Sequence, residues 1–367
     1  MAEVKKSKIL NYINVFRGLA ILLIVAGHTM QVGEAGSFLQ RLSVEVFAGG
    51  TALFIFISGF LFQHLSGKYE FSNYMSKKWA NVIQPYLWTA IPGILFCFLF
   101  PLKYGNSFDG LNYIYQIPMM LSIGRVHNTP AWFIPMIILF FLSSWVLLFL
   151  ERKNILYKLL PVLFLITIFM PRIDVDYNTT INLMMSEKYI AYIKYVFMGY
   201  VHFFSMYVFG MYCSFNKNII DKFWDYRYLY LILMLIFAAL NVYSGMNFNY
   251  SNGTLSKIFL TILLLAYLKH YDVFILSHEK INTVLDFIAK YSFGIFFIHW
   301  YVFFIYNSIF NLSNVLNTSN NSLLVILGLV FLRFITVTVF SILILFAIKC
   351  FISKFFKNTN SRSIIGV

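Results

Sequence analysis

The amino-acid sequence predicts an all-α, polytopic integral membrane protein of about ten transmembrane helices with both termini cytoplasmic. Three observations carry this expectation. The 367 residues are 60% hydrophobic and only 11% charged, with a mean hydropathy of +0.75, far from the balance of a water-soluble domain. Apolar runs approaching the roughly 20 residues that a spanning helix needs recur from end to end. Lysine and arginine then alternate in density from one connection to the next. With the N-terminus inside, the inner connections hold 19 of them and the outer ones 7, the bias expected when basic loops stay in the cytoplasm.

Ten apolar segments can be drawn in order, near 11–31, 44–65, 80–101, 131–150, 156–171, 195–215, 227–245, 255–271, 289–310 and 322–350. The fifth is the weakest, being short and bracketed by Pro161 and Pro171. The inner basic clusters are Lys5–Lys8, Lys68–Lys78, Arg152–Lys158, Lys217–Arg227, Lys269–Lys290 and Lys349–Arg362. The outer side holds Arg41, Lys103, Arg125, Arg172, Lys188, Lys194 and Lys257, and Arg17 and Arg333 fall within helices. The domain reading is a cytoplasmic tail over 1–10, one membrane domain over 11–350 and a second cytoplasmic tail over 351–367. The longest outer connections cover about 102–130 and 172–194. The sequon Asn178-Thr179-Thr180 has no weight in so Asn-rich a chain.

The formal charge of +14 comes from residues dispersed between apolar runs, so it reads as topology and no nucleic-acid partner is expected. Cys97, Cys213 and Cys350 are far apart and lie in apolar segments, which suits small core residues and gives neither a disulfide framework nor a metal site. Lys5, Lys6 and Lys8 before an apolar run resemble a signal peptide. Only Gly33-Glu34-Ala35 weakly resembles a cleavage site, so the segment is read as a retained helix.

That first segment carries the strongest chemical signal. Within NYINVFRGLAILLIVAGHTM stand Arg17 and His28, and ionisable groups inside hydrocarbon are costly enough to suggest function. Eleven steps of about 100° bring the helix direction back to within about 20°, so the two share a face, roughly 16 Å apart along the axis. Arg17 lies toward the inner half and His28 toward the outer half. The bland reading is that both satisfy neighbouring helices.

Other stretches have bland readings of their own. Gly49 to Leu61, with Ser58-Gly59-Phe60, suits close helix packing. Lys77-Lys78 before Gln84-Pro85-Tyr86 reads as a topology signal, Trp132 as part of an interfacial aromatic belt, and His299 as a packed hydrogen-bonding group. Arg333 is too central to snorkel, and either lines a cavity or ties helices together. Glu45 and Arg125 read as solvated loop charges.

Taken together, five of these pieces resemble the acyltransferase-3 family of polytopic envelope acyltransferases, in matching order over roughly 10–350. They are Arg17…His28, Leu53-Phe54-Ile55-Phe56-Ile57-Ser58-Gly59-Phe60-Leu61, the basic stretch before Pro85-Tyr86, Ala131-Trp132-Phe133, and Tyr291-Ser292…His299. The resemblance implies a membrane O-acyltransferase moving an acyl group, usually acetyl, from cytoplasmic acyl-coenzyme A to a hydroxyl of an envelope glycan, free or lipid-linked, at a bacterial inner membrane. On that reading His28 and Arg17 are catalytic, with His28 as a base or as a transiently acylated group. Lys77, Lys78 and Arg17 hold the coenzyme, and Ser58, Trp132, Tyr291, Ser292, His299 and Arg333 line the acceptor site. No metal is implied.

The family commonly places a further basic residue where this chain has Asn81, which leaves a phosphate contact to Lys78. The soluble esterase-like domain that some relatives append is absent from these residues, so the chemistry is expected to finish within the membrane region or with a partner. The competing expectations are an exporter of a polysaccharide or lipid-linked sugar and a non-catalytic scaffold.

Overall fold

In the computed structural model the described residues are 10–34, 36–99, 113–124, 130–170, 185–248, 250–310, 322–356 and 360–367. Among them there is no strand. The helices are α1 (Asn11–Thr29), α2 (Phe38–Phe47), α3 (Gly50–His64), α4 (Phe71–Lys78), α5 (Gln84–Leu99), α6 (Tyr113–Ile123), α7 (Phe133–Leu142), α8 (Ser144–Arg152), α9 (Leu160–Phe169), α10 (Met185–Phe215), α11 (Ile219–Asp225), α12 (Arg227–Phe248), α13 (Thr254–His270), α14 (Asp272–Ser277), α15 (Glu279–Phe310), α16 (Leu323–Phe355) and α17 (Arg362–Ile365).

Among the described residues seven helical stretches are long and apolar enough to cross a membrane: Asn11–Thr29, Phe38–His64, Phe71–Leu99, Tyr189–Phe215, Arg227–Phe248, Glu279–Phe310 and Leu323–Phe355. An eighth forms if α7 and α8, bent by 45°, make one span. The protein is therefore an all-α polytopic membrane protein. Every expected segment falls on a helix, yet α13 has only 17 residues and the fifth segment is short, as its prolines suggested. The stretch taken as an outer connection at 102–130 contains α6, an apolar helix too short to span. Large side chains such as Leu324, 82% exposed, stand on the outside, as hydrocarbon requires. Cys97 and Cys213 are buried but Cys350 is exposed, so only two of the three are core residues.

The chain divides into two compact units. The first comprises Met1–His64, Phe209–Ser292 and Val315–Phe334. Here α1 packs on α3 and α13, and α12 packs on α13 and α2. Lipid tails are as apolar as leucine, so close approach and dispersion drive such contacts. Phe56 sits 5.9 Å from Phe16 and 5.4 Å from Phe209, centroid to centroid. A methyl group on Gly210 would overlap the Phe56 carbonyl oxygen, so only glycine lets α10 lie against α3 there.

The second unit comprises Leu65–Val208, Phe293–Asn314 and Ile335–Val367. Its short α9 is tied down by polar bonds. The Thr167 hydroxyl donates to the His202 carbonyl at 2.8 Å and lies 2.6 Å from Ser205 Oγ. Between α4 and α5 runs a π-helical stretch, Trp79–Ile83. Pro85 supplies the cause, because it has no N–H to give to the carbonyl four residues back and its ring crowds that oxygen. The expected tail over 351–367 is largely helical, with α16 continuing to Phe355 and α17 folding onto α5.

Candidate functional site

The apolar run of α1 makes a helix whose two chemical residues are held by different means. Arg17 and His28 are both half-buried. Arg17 Nη2 donates to Asn14 Oδ1 at 2.8 Å, and Asn14 Nδ2 donates to Asp286 Oδ1 at 2.7 Å. Asp286 in turn pairs with Lys290 at 2.6 Å. Gly18 permits this approach, since a methyl there would lie 3.3 Å from the Leu285 carbonyl oxygen. Asn14 and Asp286 escaped the sequence reading. An asparagine three residues before the arginine, one turn away on the same face, was the available signal.

At the His28 end the last carbonyls of α1 lack intrahelical partners, a general property of helix termini. Side chains serve them. Thr29 Oγ1 donates to the Val25 carbonyl at 2.8 Å, and Gln31 Nε2 to that of Gly27 at 2.6 Å. Arg333 Nε donates to the Thr29 carbonyl at 2.7 Å. Arg333 is 6% exposed, so the structure shows it as a buried tie onto the turn that carries His28.

The α2–α3 break closes on the same turn. A methyl on Gly27 would lie 3.1 Å from Ala48 Cα, and one on Gly50 would lie 2.9 Å from the Ala20 carbonyl oxygen. Gly49, at φ +99°, presses on the methylenes of Lys257. Glu45 is buried, at 4% exposure, which corrects its reading as a solvated loop residue. Lys257, counted among outer-loop charges, is 6% exposed within α13. Their ion pair spans 3.3 Å. Lys257 Nζ also donates to the Glu45 backbone carbonyl, and the Glu45 carboxylate accepts from Ser256 and Asn241. A carboxylate is tolerated at this depth because every partner is in place.

Three other expected residues belong to this first unit. Ser58 is half-buried and its hydroxyl donates to the Phe54 carbonyl at 2.8 Å. Ser292, buried, donates to the Ala289 carbonyl at 2.8 Å, and Tyr291 packs its ring 4.6 Å from Phe287. Both serine hydroxyls bond within their own helices.

The second unit holds the others. Lys77 is exposed at the end of α4, while the Lys78 ammonium lies 5.0 Å from the Tyr74 ring centre and 4.7 Å from that of Phe141. Asn81 donates its amide to the Lys77 carbonyl at 2.7 Å. Trp132 meets Tyr195 edge-on at 5.6 Å. His299 is 0% exposed, with Nδ1 2.9 Å from the Ile295 carbonyl oxygen. Arg125, the N-terminal residues 1–9 and the sequon at 178–180 lie outside the described residues.

A family model described as an acyltransferase domain, acyltransferase-3, matches residues 10–349. The chain belongs to the acyltransferase-3 family. It is accordingly a membrane acyltransferase, and the match takes in α1 through nearly all of α16, including both units. No curated protein and no solved structure matches the chain. For an acyltransferase-3 protein the arrangement on α1 offers a fixed cation and a fixed imidazole at two depths of one helix. That pairing suits activation of a hydroxyl and stabilisation of negative charge.

Proposed function

We propose that the protein is an O-acyltransferase moving acetyl from acetyl-coenzyme A in the cytoplasm to a hydroxyl of a cell-envelope glycan, free or lipid-linked, at a bacterial cytoplasmic membrane. The observation that carries this reading is the sharing of one face of α1 by Arg17 and His28, each on a turn fixed by neighbouring side chains. In the transfer, the acceptor oxygen attacks the thioester carbonyl carbon and its proton passes to His28. The carbon–sulfur bond then breaks and the coenzyme leaves as thiolate, which receives the proton. Histidine suits this task because its ordinary pKa of about 6.5 lies near the working pH. Arg17 offsets the charge that develops on the carbonyl oxygen, and Lys77 and Lys78 attract the coenzyme's phosphates.

The test is the acyl content of the envelope glycan, measured by mass spectrometry at matched membrane levels of each variant. His28→Ala and His28→Gln abolish acylation, because neither side chain takes a proton at neutral pH. His299→Ala loses less, since its Nδ1 is engaged by its own helix. Full acylation by His28→Gln overturns the assignment of the base.

A further inference from the structure

The segment 360–367 is folded back and held. Ile365 is buried, and a methyl on Gly294 would overlap the Val367 side chain and lie 3.0 Å from the Ile365 carbonyl oxygen. Gly366 takes φ +77°, which lets it pass Phe293, where a methyl would lie 2.9 Å from Cδ1. Ser361 donates to the Val367 carbonyl, closing the turn. These contacts seat α17 against α5 and against the π-helical stretch Trp79–Ile83, which begins one residue after Lys78.

The seating has an electrostatic cost. It brings the exposed Arg362 close enough to repel Lys78, like charge against like. Among the described residues the ion pairs are Lys257–Glu45, Lys269–Asp221 and Lys290–Asp286, none of which serves Lys78 or Arg362. Lys78 is flanked instead by the rings of Tyr74 and Phe141, and Lys77 stands exposed beside it. The helix dipole gives no excuse for this crowding, because α4 continues into the π stretch and α5 and leaves no free C-terminal carbonyls. Two cations held at repulsive range by packing, without a carboxylate, make a place for an anion. Asn81 is not a ligand there, its amide being spent on the Lys77 carbonyl.

We propose that Arg362 and Lys78 together form a binding subsite for a phosphate group, with Arg362 supplying the forked contact and Lys78 a point charge. Resting on the donor reading above, the phosphate is one of coenzyme A. The headgroup of an anionic lipid offers the same chemistry.

The test uses the full chain in phosphatidylcholine nanodiscs, with direct binding of coenzyme A, pantetheine and inorganic pyrophosphate. Arg362→Gln weakens coenzyme A binding about tenfold at low salt, the loss of one charge-assisted contact to phosphate, and leaves phosphate-free pantetheine unchanged. Arg362→Lys retains part of the affinity. Wild-type affinity for coenzyme A itself falls as salt rises, a readout that needs no variant to fold.

Equal binding of coenzyme A by wild type and a folded Arg362→Gln overturns the subsite while leaving the donor reading intact, as does a salt-independent wild-type affinity. Pyrophosphate binding that depends on Arg362, with no coenzyme A binding, supports the subsite and overturns the donor reading. Arg362-dependent retention of phosphatidylglycerol, with neither soluble ligand bound, assigns the phosphate to a lipid. Binding of none of these overturns the subsite.

Discussion

Removing one member of the buried Glu45–Lys257 pair is expected to cost more than removing both. At 3.3 Å and an effective dielectric of about 20, two unit charges attract with roughly 5 kcal/mol before desolvation is counted. Truncating one partner leaves the other charge at a depth where exposure is 4–6%, and such single losses cost about 3–5 kcal/mol. In Lys257→Met the carboxylate keeps Ser256 and Asn241 as donors. In Glu45→Gln the ammonium keeps the backbone carbonyl of residue 45. Both residual sets are incomplete for a full charge. In the double variant neither charge remains, and the combined loss should fall short of the sum of the single losses by about 2 kcal/mol or more.

The measurement is equilibrium unfolding in mixed micelles along a gradient of denaturing detergent, for wild type, both single variants and the double. Because Gly49 presses on the lysine stem beside the break that meets Gly27, acyl transfer should fall in the single variants at detergent levels where the chain is still folded. Single losses below about 1 kcal/mol, or a double variant whose loss equals their sum, would refute the argument that burial rather than mere proximity sets the strength of the pair.

Two further outcomes are expected. Gly210→Ala should prevent α10 from seating against Phe56, with loss of folded protein at the membrane, whereas Gly328→Ala, where a methyl meets open space, should accumulate normally; equal levels of both would refute the close-contact reading. Reporter fusions at residues 70, 155 and 360 should be cytoplasmic and those at 110 and 315 external. A reversed reporter at 110 or 315 would refute the orientation drawn from the basic residues.

Much of the span pattern was legible because hydrocarbon punishes polar backbone and polar side chains alike, so apolar runs mark helices and a lone Arg17 or His28 stands out within one. The partners of those residues were not legible. Asn14 meets Asp286 across 272 positions, and Glu45 meets Lys257 across 212, distances over which no local pattern operates. Glu45 read as a loop residue because the helix that carries it is short and ends at Ala48-Gly49-Gly50. One local signal was available there. Ser37, three residues before Gln40, has the spacing of a capping box, and its hydroxyl accepts the Gln40 N–H at 3.2 Å. The docking of 360–367 left no trace in hydropathy, since its apolar residues are few and its fit depends on Gly294 and Gly366.

The two ends of α1 are restrained in ways that suit their different tasks. Arg17 keeps its charge throughout any cycle, and it is held through its own guanidinium by Asn14. His28 must gain and lose a proton, so a restraint acting through its ring would change with each transfer. The Gln31 and Arg333 restraints on its turn act instead on the carbonyls of Gly27 and Thr29. A carbonyl oxygen does not titrate at any working pH, and its hydrogen bonds persist in both states of the imidazole. Arg333 is thereby suited to the catalytic turn as an anchor: its buried N–H fixes where the ring starts, and the ring remains able to move a proton.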